Sequence, residues 1–347
     1  MRRSYDYLGE QKITIDTSKG LSDRVQENIE EPPLPPGDNR FLIKVVEPNH
    51  PIQIVKDRRL PFASTRENWS RPYMGADLFR YGTRVRTIWR KSSSEYEVET
   101  TTELDEKAVL KCFKNLYFEN ASQGKFLLHS ALVNVNHQGI LITGKCRSGK
   151  STLTQGLATL QPTIITGGNT LISSCDGELT GDYIPRPFYI RFSGIVSHPA
   201  LAPLMEDIGS CNAVQYLDDD TIKRIISSKA FEVDAGLCIS RKRYADLLGV
   251  NTDASSRVDT IIFTQYAPGS PKVEECTPEE AADLVKARVF PKKTDLLKIE
   301  TTDEIVPPQI DLSSDFFSKL RLIKLSFSGD SSLTQGLLED LVDNKRI

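Results

Sequence analysis

The sequence has little of what marks several protein classes. Of its 347 residues only four are histidine and six are cysteine. His50, His129, His137 and His198 lack metal-ligand spacing, and Cys112, Cys146, Cys175, Cys211, Cys238 and Cys276 form no C-x-x-C pair, zinc knuckle or dense disulfide framework. Free thiols in a reducing cytoplasm are the expectation. Nowhere does the chain approach the roughly 18 uninterrupted apolar residues that a membrane-spanning helix needs. Its opening residues carry two arginines with no apolar run behind them, unlike a secretory signal. Neither sign of charge dominates: 44 Lys plus Arg against 47 Asp plus Glu leaves −3, which gives no global drive toward nucleic acid or anionic lipid. A cytoplasmic protein without a nucleic-acid or membrane partner is therefore expected.

The length predicts one large α/β domain with an extra module. Residues 1–40 read as a loop-rich segment ending in the proline-rich stretch 32–39. Residues 41–124 read as a smaller β-rich module, with strand-like runs in "RFLIKVVE", "IQIVKD" and "RYGTRVRTIWRKSSSEYEVETTT". A connecting helix over 102–124 places Ala108, Val109, Cys112, Phe113, Leu116 and Tyr117 on one face. From residue 125 to 347 the order becomes strand, Gly139 turn, strand, loop and helix. Further strands follow in "TIITGGNTLISSC", "YIPRPFYIRF", "KAFEVDAGLCIS" and "VDTIIFTQY", with a helix in "RKRYADLLG". "TPEEAADLVKARVF" opens as a capped helix, with Thr277 at the cap, Pro278 at the first position and Glu280 completing a capping box. "DFFSKLRLIKLSFS" alternates again, and a helix over 331–344 closes the chain.

One motif carries chemistry. Gly144-Lys145-Cys146-Arg147-Ser148-Gly149-Lys150-Ser151 satisfies G-x-x-x-x-G-K-S/T at every fixed position, a match expected by chance in only about 1% of chains this long. It follows the apolar strand "GILIT" and opens a helix, the placement in which backbone N–H groups converge on phosphate oxygens. Gly144, Lys145, Cys146, Arg147, Ser148, Gly149, Lys150, Ser151 and Thr152 are thus the expected nucleotide-binding residues. Lys150 reaches the β/γ-phosphates, Ser151 ligates Mg²⁺, and Thr152 adds a hydroxyl near the α-phosphate. Lys145 and Arg147 either add positive potential or are solvated loop charges.

With this loop in place, "LLHSALVNVNHQGILITGKCRSGKSTL" resembles the C-terminal catalytic domain of the HPr kinase/phosphorylase family, whose nucleotide-binding fold is akin to that of phosphoenolpyruvate carboxykinase. The resemblance continues by pattern through "PRPFYIRF", "VDTIIFT" and "LSFSGDSSLTQGLLEDLV", over roughly residues 125 to 343. It implies an α/β, HPr-kinase-like P-loop domain with a mixed sheet, preceded by the smaller β-rich N-terminal module. It also implies ATP (or GTP) and Mg²⁺ as cofactors, and a homo-oligomer. His129 takes the place of the family's histidine, as a base for the acceptor hydroxyl or as a structural histidine between two strands.

The departure from the family is specific. Two adjacent aspartates follow the loop lysine in the family, linked to proton abstraction and the metal shell, and Gly167 and Gly168 stand there in this chain, followed by Asn169. Asp176, Glu178 and Asp182 either turn back toward the phosphates or are solvated turn residues, and Asp218, Asp219 and Asp220 read as a helix start. Positioning and charge neutralisation supply most of the catalysis of phosphoryl transfer. The leading expectation is accordingly an ATP- and Mg²⁺-dependent phosphotransferase acting on a hydroxyl of a peptide, a protein serine or a small molecule, with His129 and Lys150 as its catalytic residues. A nucleotide-binding regulatory protein without catalysis is the alternative, favoured by Gly167-Gly168, and a nucleotide hydrolase is the third.

Overall fold

The structure, a computed structural model, describes seven strands between residues 2 and 99 and, beyond them, residues 125–175, 177–184, 188–206, 236–267, 269–289, 312 and 314–328. The proline-rich stretch 32–39, the run "IQIVKD", the helix over 102–124, Asp176, Asp218, Asp219, Asp220 and the closing helix lie outside the described residues. The chain divides into two units, Met1–Ala121 with Lys292–Val306 and Ser122–Pro291 with Pro307–Ile347.

In the first unit β1 (Arg2–Tyr7), β2 (Gln11–Asp16), β3 (Phe41–Val46), β4 (Trp69–Tyr73), β5 (Ala76–Tyr81), β6 (Arg84–Ser92) and β7 (Glu95–Glu99) form one sheet. Its order is β1-β2-β3-β7-β6-β5-β4. Two of these strands fall in the segment expected to be loop-rich. The run "KITID", three consecutive β-branched residues with apolar isoleucine at every second position, is the local signal for β2, and pairing of Ile13 and Ile15 with Phe41 and Ile43 uses it.

The second unit begins with β8 (Lys125–Leu128), β9 (Ser130–Val135) and β10 (Gln138–Gly144), followed by helix α1 (Lys150–Gly156). Next come β11 (Thr163–Gly167), β12 (Thr170–Cys175), β13 (Glu178–Asp182), β14 (Phe188–Arg191), α2 (Phe192–Ser197) and α3 (Pro203–Glu206). Then follow β15 (Gly236–Ile239), α4 (Arg241–Leu248), β16 (Asn251–Thr252), β17 (Ser255–Val258) and β18 (Thr260–Tyr266). β19 (Lys272–Glu275), α5 (Pro278–Lys286), α6 (Ser314–Phe317) and β20 (Arg321–Phe327) complete it. This is a mixed α/β fold. No described helix is long and apolar enough to cross a membrane.

A seven-stranded mixed sheet, β16-β11-β9-β10-β18-β20-β19, carries the unit. β10, β18 and β20 are parallel neighbours, and β9 runs against both β10 and β11. One end of the sheet therefore collects the C-terminal ends of β10, β11, β18 and β20 with the start of β9. An antiparallel sheet, β17-β13-β12-β8, packs on it where Gly181 faces Leu132: a Cβ at 181 would come within 2.4 Å of the leucine's Cδ2. Leu132, Val133, Ile142, Leu153, Leu157, Ile164 and Leu325 are fully buried, each stabilising the fold by about 1.5–3 kcal/mol relative to exposure.

Local signals read as the sequence predicts at both longer helices. Ser240 Oγ accepts the Arg243 N–H at the start of α4, and Gly249 ends that helix in the left-handed region at φ 69°. At α5 the capping box of Thr277 and Glu280 is complete. The turn expected at Gly139 differs. Asn136 and His137, both at positive φ, make the two-residue turn of the β9–β10 hairpin. Gly139 belongs to β10, where it is small because a Cβ would strike the Arg257 carbonyl oxygen.

Candidate functional site

Gly144 ends β10 beside Thr264 of β18, and Thr143 pairs with Ser130 of β9. The phosphate loop therefore leaves the sheet from its middle, at the end where the parallel strands terminate. Gly144 admits no side chain, since a Cβ would lie 2.4 Å from Ser148 Oγ and 2.6 Å from Thr264 Oγ1. Those two hydroxyls are hydrogen-bonded at 2.8 Å, which ties the middle of the loop to the end of β18. The Ser148 N–H closes a turn on Lys145 O at 3.2 Å, and Arg147 takes φ 65°. Gly149 caps α1 at φ 93°, where an L side chain is strained, and a Cβ there would meet the Phe327 ring at 2.4 Å. Two independent constraints thus require glycine at 149.

Lys150 is buried, and its Nζ donates to Gly144 O and Lys145 O, both at 2.9 Å. Burial pulls the ammonium down from an ordinary lysine value to about 8, with Cys146 acting to raise it and the charge of Arg288 lowering it further. Lys145, Cys146, Arg147 and Ser151 are exposed, Thr152 is half-buried, and Ser148 is buried. Exposed Ser151 is free of the core and available to a ligand, whereas Thr154, a turn later, spends its hydroxyl on Lys150 O at 3.0 Å.

His129 joins β8 to β9 at the same sheet end. Its carbonyl accepts Thr143 Oγ1 at 3.0 Å, and its N–H donates to Arg288 O at 3.2 Å. The histidine backbone is thus anchored to the residue immediately before the loop's first glycine. Beneath it, Ser130 Oγ donates to Thr170 Oγ1 at 2.9 Å, and Thr170 shares a 2.6 Å bond with Thr166. That buried hydroxyl chain holds β9 against the turn between β11 and β12.

Gly168 and buried Asn169 form this turn, and Gly167 before them ends β11 opposite Ala131. Arg241 supports it from behind: its Nη1 donates to Ile165 O at 3.2 Å, within the bulge between Ile164 and Thr166, while its guanidinium lies 3.6 Å over the Tyr183 ring. A Cβ at Gly167 would come within 2.4 to 2.7 Å of three atoms of the Phe188 ring, which itself packs on Tyr244 at 5.3 Å. An aromatic ring therefore fills the space over the first glycine.

Of the downstream carboxylates, Glu178 and Asp182 are strand residues rather than turn residues. Glu178 and Asp182 begin and end β13, held there by pairing with β12 and β17. Asp182 is ion-paired with Lys125 at 2.9 Å and Glu178 with Arg257 at 3.1 Å. Strand alternation in "ELTGD", with Leu179 and Gly181 inward, is the signal that the glycines and polar residues of that stretch obscured.

Four residues of the site carry no recognisable sequence signal: Thr264 and Phe327, which shape the loop, Phe188, which covers Gly167, and Arg288, whose carbonyl accepts the His129 N–H. Each reaches the site through strand or helix packing distant in sequence. Among the described residues no group of three or more His, Cys, Asp or Glu side chains can cage a metal ion. The exposed Ser151 hydroxyl at the start of α1 is an oxygen donor of the kind a hard cation takes.

No family model matches the chain, and no curated protein matches it. Among solved structures, the HPr(Ser) kinase/phosphatase from Coxiella burnetii aligns with 63% of this chain and 94% of its own, at 15% identity and a TM-score of 0.30.

Proposed function

We propose that the chain is an ATP- (or GTP-) and Mg²⁺-dependent phosphotransferase whose acceptor is a hydroxyl of a peptide, a protein serine or a small molecule. One observation carries the reading: a buried lysine with a depressed pKa rests on the loop's own carbonyls, beside a histidine anchored to the same loop. A buried ammonium without a carboxylate is costly, and phosphate oxygens supply the missing charge. Lys150 neutralises the β/γ-phosphates and Gly144 to Thr152 wrap them. Ser151 would hold the magnesium that accompanies the nucleotide, and that ion would supply charge neutralisation. The acceptor oxygen bonds to the γ-phosphorus as the bond to the β–γ bridging oxygen breaks, the hydroxyl proton passes to the His129 imidazole, and the nucleoside diphosphate leaves.

The experiment is turnover of MgATP and MgGTP to the diphosphate, read with serine peptides and small alcohols as acceptors, in the parent and in Lys150→Ala. Acceptor-dependent turnover lost in the variant supports the reading. Nucleotide bound without turnover supports the second reading, a nucleotide-dependent regulatory protein. The observation favouring that second reading is Phe188, whose ring occupies the space a carboxylate at position 167 would need.

A further inference from the structure

Arg288 lies just beyond α5, and the chain on either side of it is tied to the site. Its carbonyl accepts the His129 N–H at 3.2 Å, and Val289 bridges to Leu128, the residue before the histidine. The backbone of Arg288 is therefore a neighbour of the strand start that flanks the phosphate loop. Its side chain turns partly inward. Nη1 donates to Leu284 O, one turn back in the helix, while Nε is buried with no hydrogen-bond partner. Among the described residues neither Arg288 nor Lys150 belongs to an ion pair; Asp182, Asp246, Glu178, Asp259 and Glu280 pair instead with Lys125, Lys242, Arg257 and Lys324.

Burial lowers the pKa of both cations, the charge of Arg288 lowers Lys150 further, and neither has a carboxylate partner among the described residues, so both carry an unfavourable charge in the free protein. Such a pair becomes favourable when a polyanion joins it. The two residues belong to different sides of the site: Lys150 opens the helix at the end of the loop, whereas the backbone of Arg288 lies on the flank that carries His129. In a phosphotransferase the base stands at the terminal phosphoryl group, because the hydroxyl it deprotonates attacks there.

We propose that Arg288 is a phosphate-binding residue for the terminal phosphoryl group of a nucleoside triphosphate, completing with Lys150 a two-cation clamp that distinguishes triphosphate from diphosphate. The inference rests on the phosphotransferase reading and goes beyond it by naming a residue outside the loop motif. The competing role is structural: the bond from Nη1 to Leu284 O caps the C-terminus of α5, where a cation also complements the helix dipole.

The experiment is calorimetric titration of the full chain with magnesium AMP-PNP and magnesium ADP, and with their guanine counterparts, for the parent, Arg288→Gln, Arg288→Met and Lys150→Ala. Thermal melts are recorded without nucleotide. The clamp predicts that Arg288→Gln weakens the triphosphate analogue at least tenfold and the diphosphate less than threefold, with a melt as high as the parent's or higher because an unpaired charge is gone. Equal weakening of both nucleotides, or none, overturns it. So does failure of both Arg288 variants to fold, which assigns the residue to the helix cap. Lys150→Ala should lose both nucleotides. If it binds them like the parent, the phosphate-loop reading falls and the clamp with it, whereas loss there with an unchanged Arg288→Gln overturns the clamp alone.

Discussion

Nucleotide binding should draw a proton from solution, by an amount that the position of Lys150 sets. Burial holds the free ammonium at about 8, so roughly a tenth of the molecules carry a neutral amine at pH 7, about half at pH 8 and about nine tenths at pH 9. Phosphate oxygens favour the charged form, and a magnesium-bound triphosphate is itself fully ionised across this range. Each binding event therefore takes up about 0.1 proton at pH 7, about 0.5 at pH 8 and about 0.9 at pH 9, and the affinity at pH 9 is about tenfold weaker than its low-pH limit. Calorimetry in two buffers of widely different ionisation enthalpy measures the uptake as the difference in apparent heat. Lys150→Arg, which keeps its charge, should bind without buffer dependence. Saturable binding by the parent at pH 8 with equal heats in both buffers would refute the reasoning. The sign for the free protein follows from the same shift. Its folded value lies below the unfolded 10.5, so the unfolded chain holds more protons between the two values and stability rises with pH across that window. The gain is at most about 3 kcal/mol, less after solvent screening.

Three further outcomes are expected. His129→Asn should lower phosphoryl transfer by about 10²-fold or more while nucleotide affinity, read by titration, stays within about twofold; a parallel loss of melting temperature and rate would make the histidine structural. Gly167→Asp should destabilise the protein by about 1–3 kcal/mol in urea melts because the new side chain meets the Phe188 ring, and combining it with Phe188→Ala should return part of that loss. A single variant as stable as the parent would show that the ring yields freely. Thr277→Ala should cost about 1 kcal/mol by removing the cap of α5, measured by the same melts, and an unchanged midpoint would mean that packing alone holds the helix start.

What local spacing encodes was open to a reader of the sequence. The eight residues from Gly144 to Ser151 are contiguous, so their loop, their strand and their helix follow from one motif. Thr277 with Glu280, and Gly249 after "RKRYADLL", are signals confined to a single helical turn. His129 was legible as a residue of interest through resemblance, although not its anchorage. Pairing between distant strands decided the rest. Because β10 lies between β9 and β18, Thr264 locks the loop and His129 stands beside it. Because β11 bulges and β14 packs over its end, Phe188 closes the space above Gly167. Because Val289 bridges back to Leu128, the backbone of Arg288 meets His129 from the end of a helix far along the chain. A side chain's spacing fixes its own dihedrals and caps, whereas its neighbours across a sheet depend on a strand order that only burial of the whole core selects.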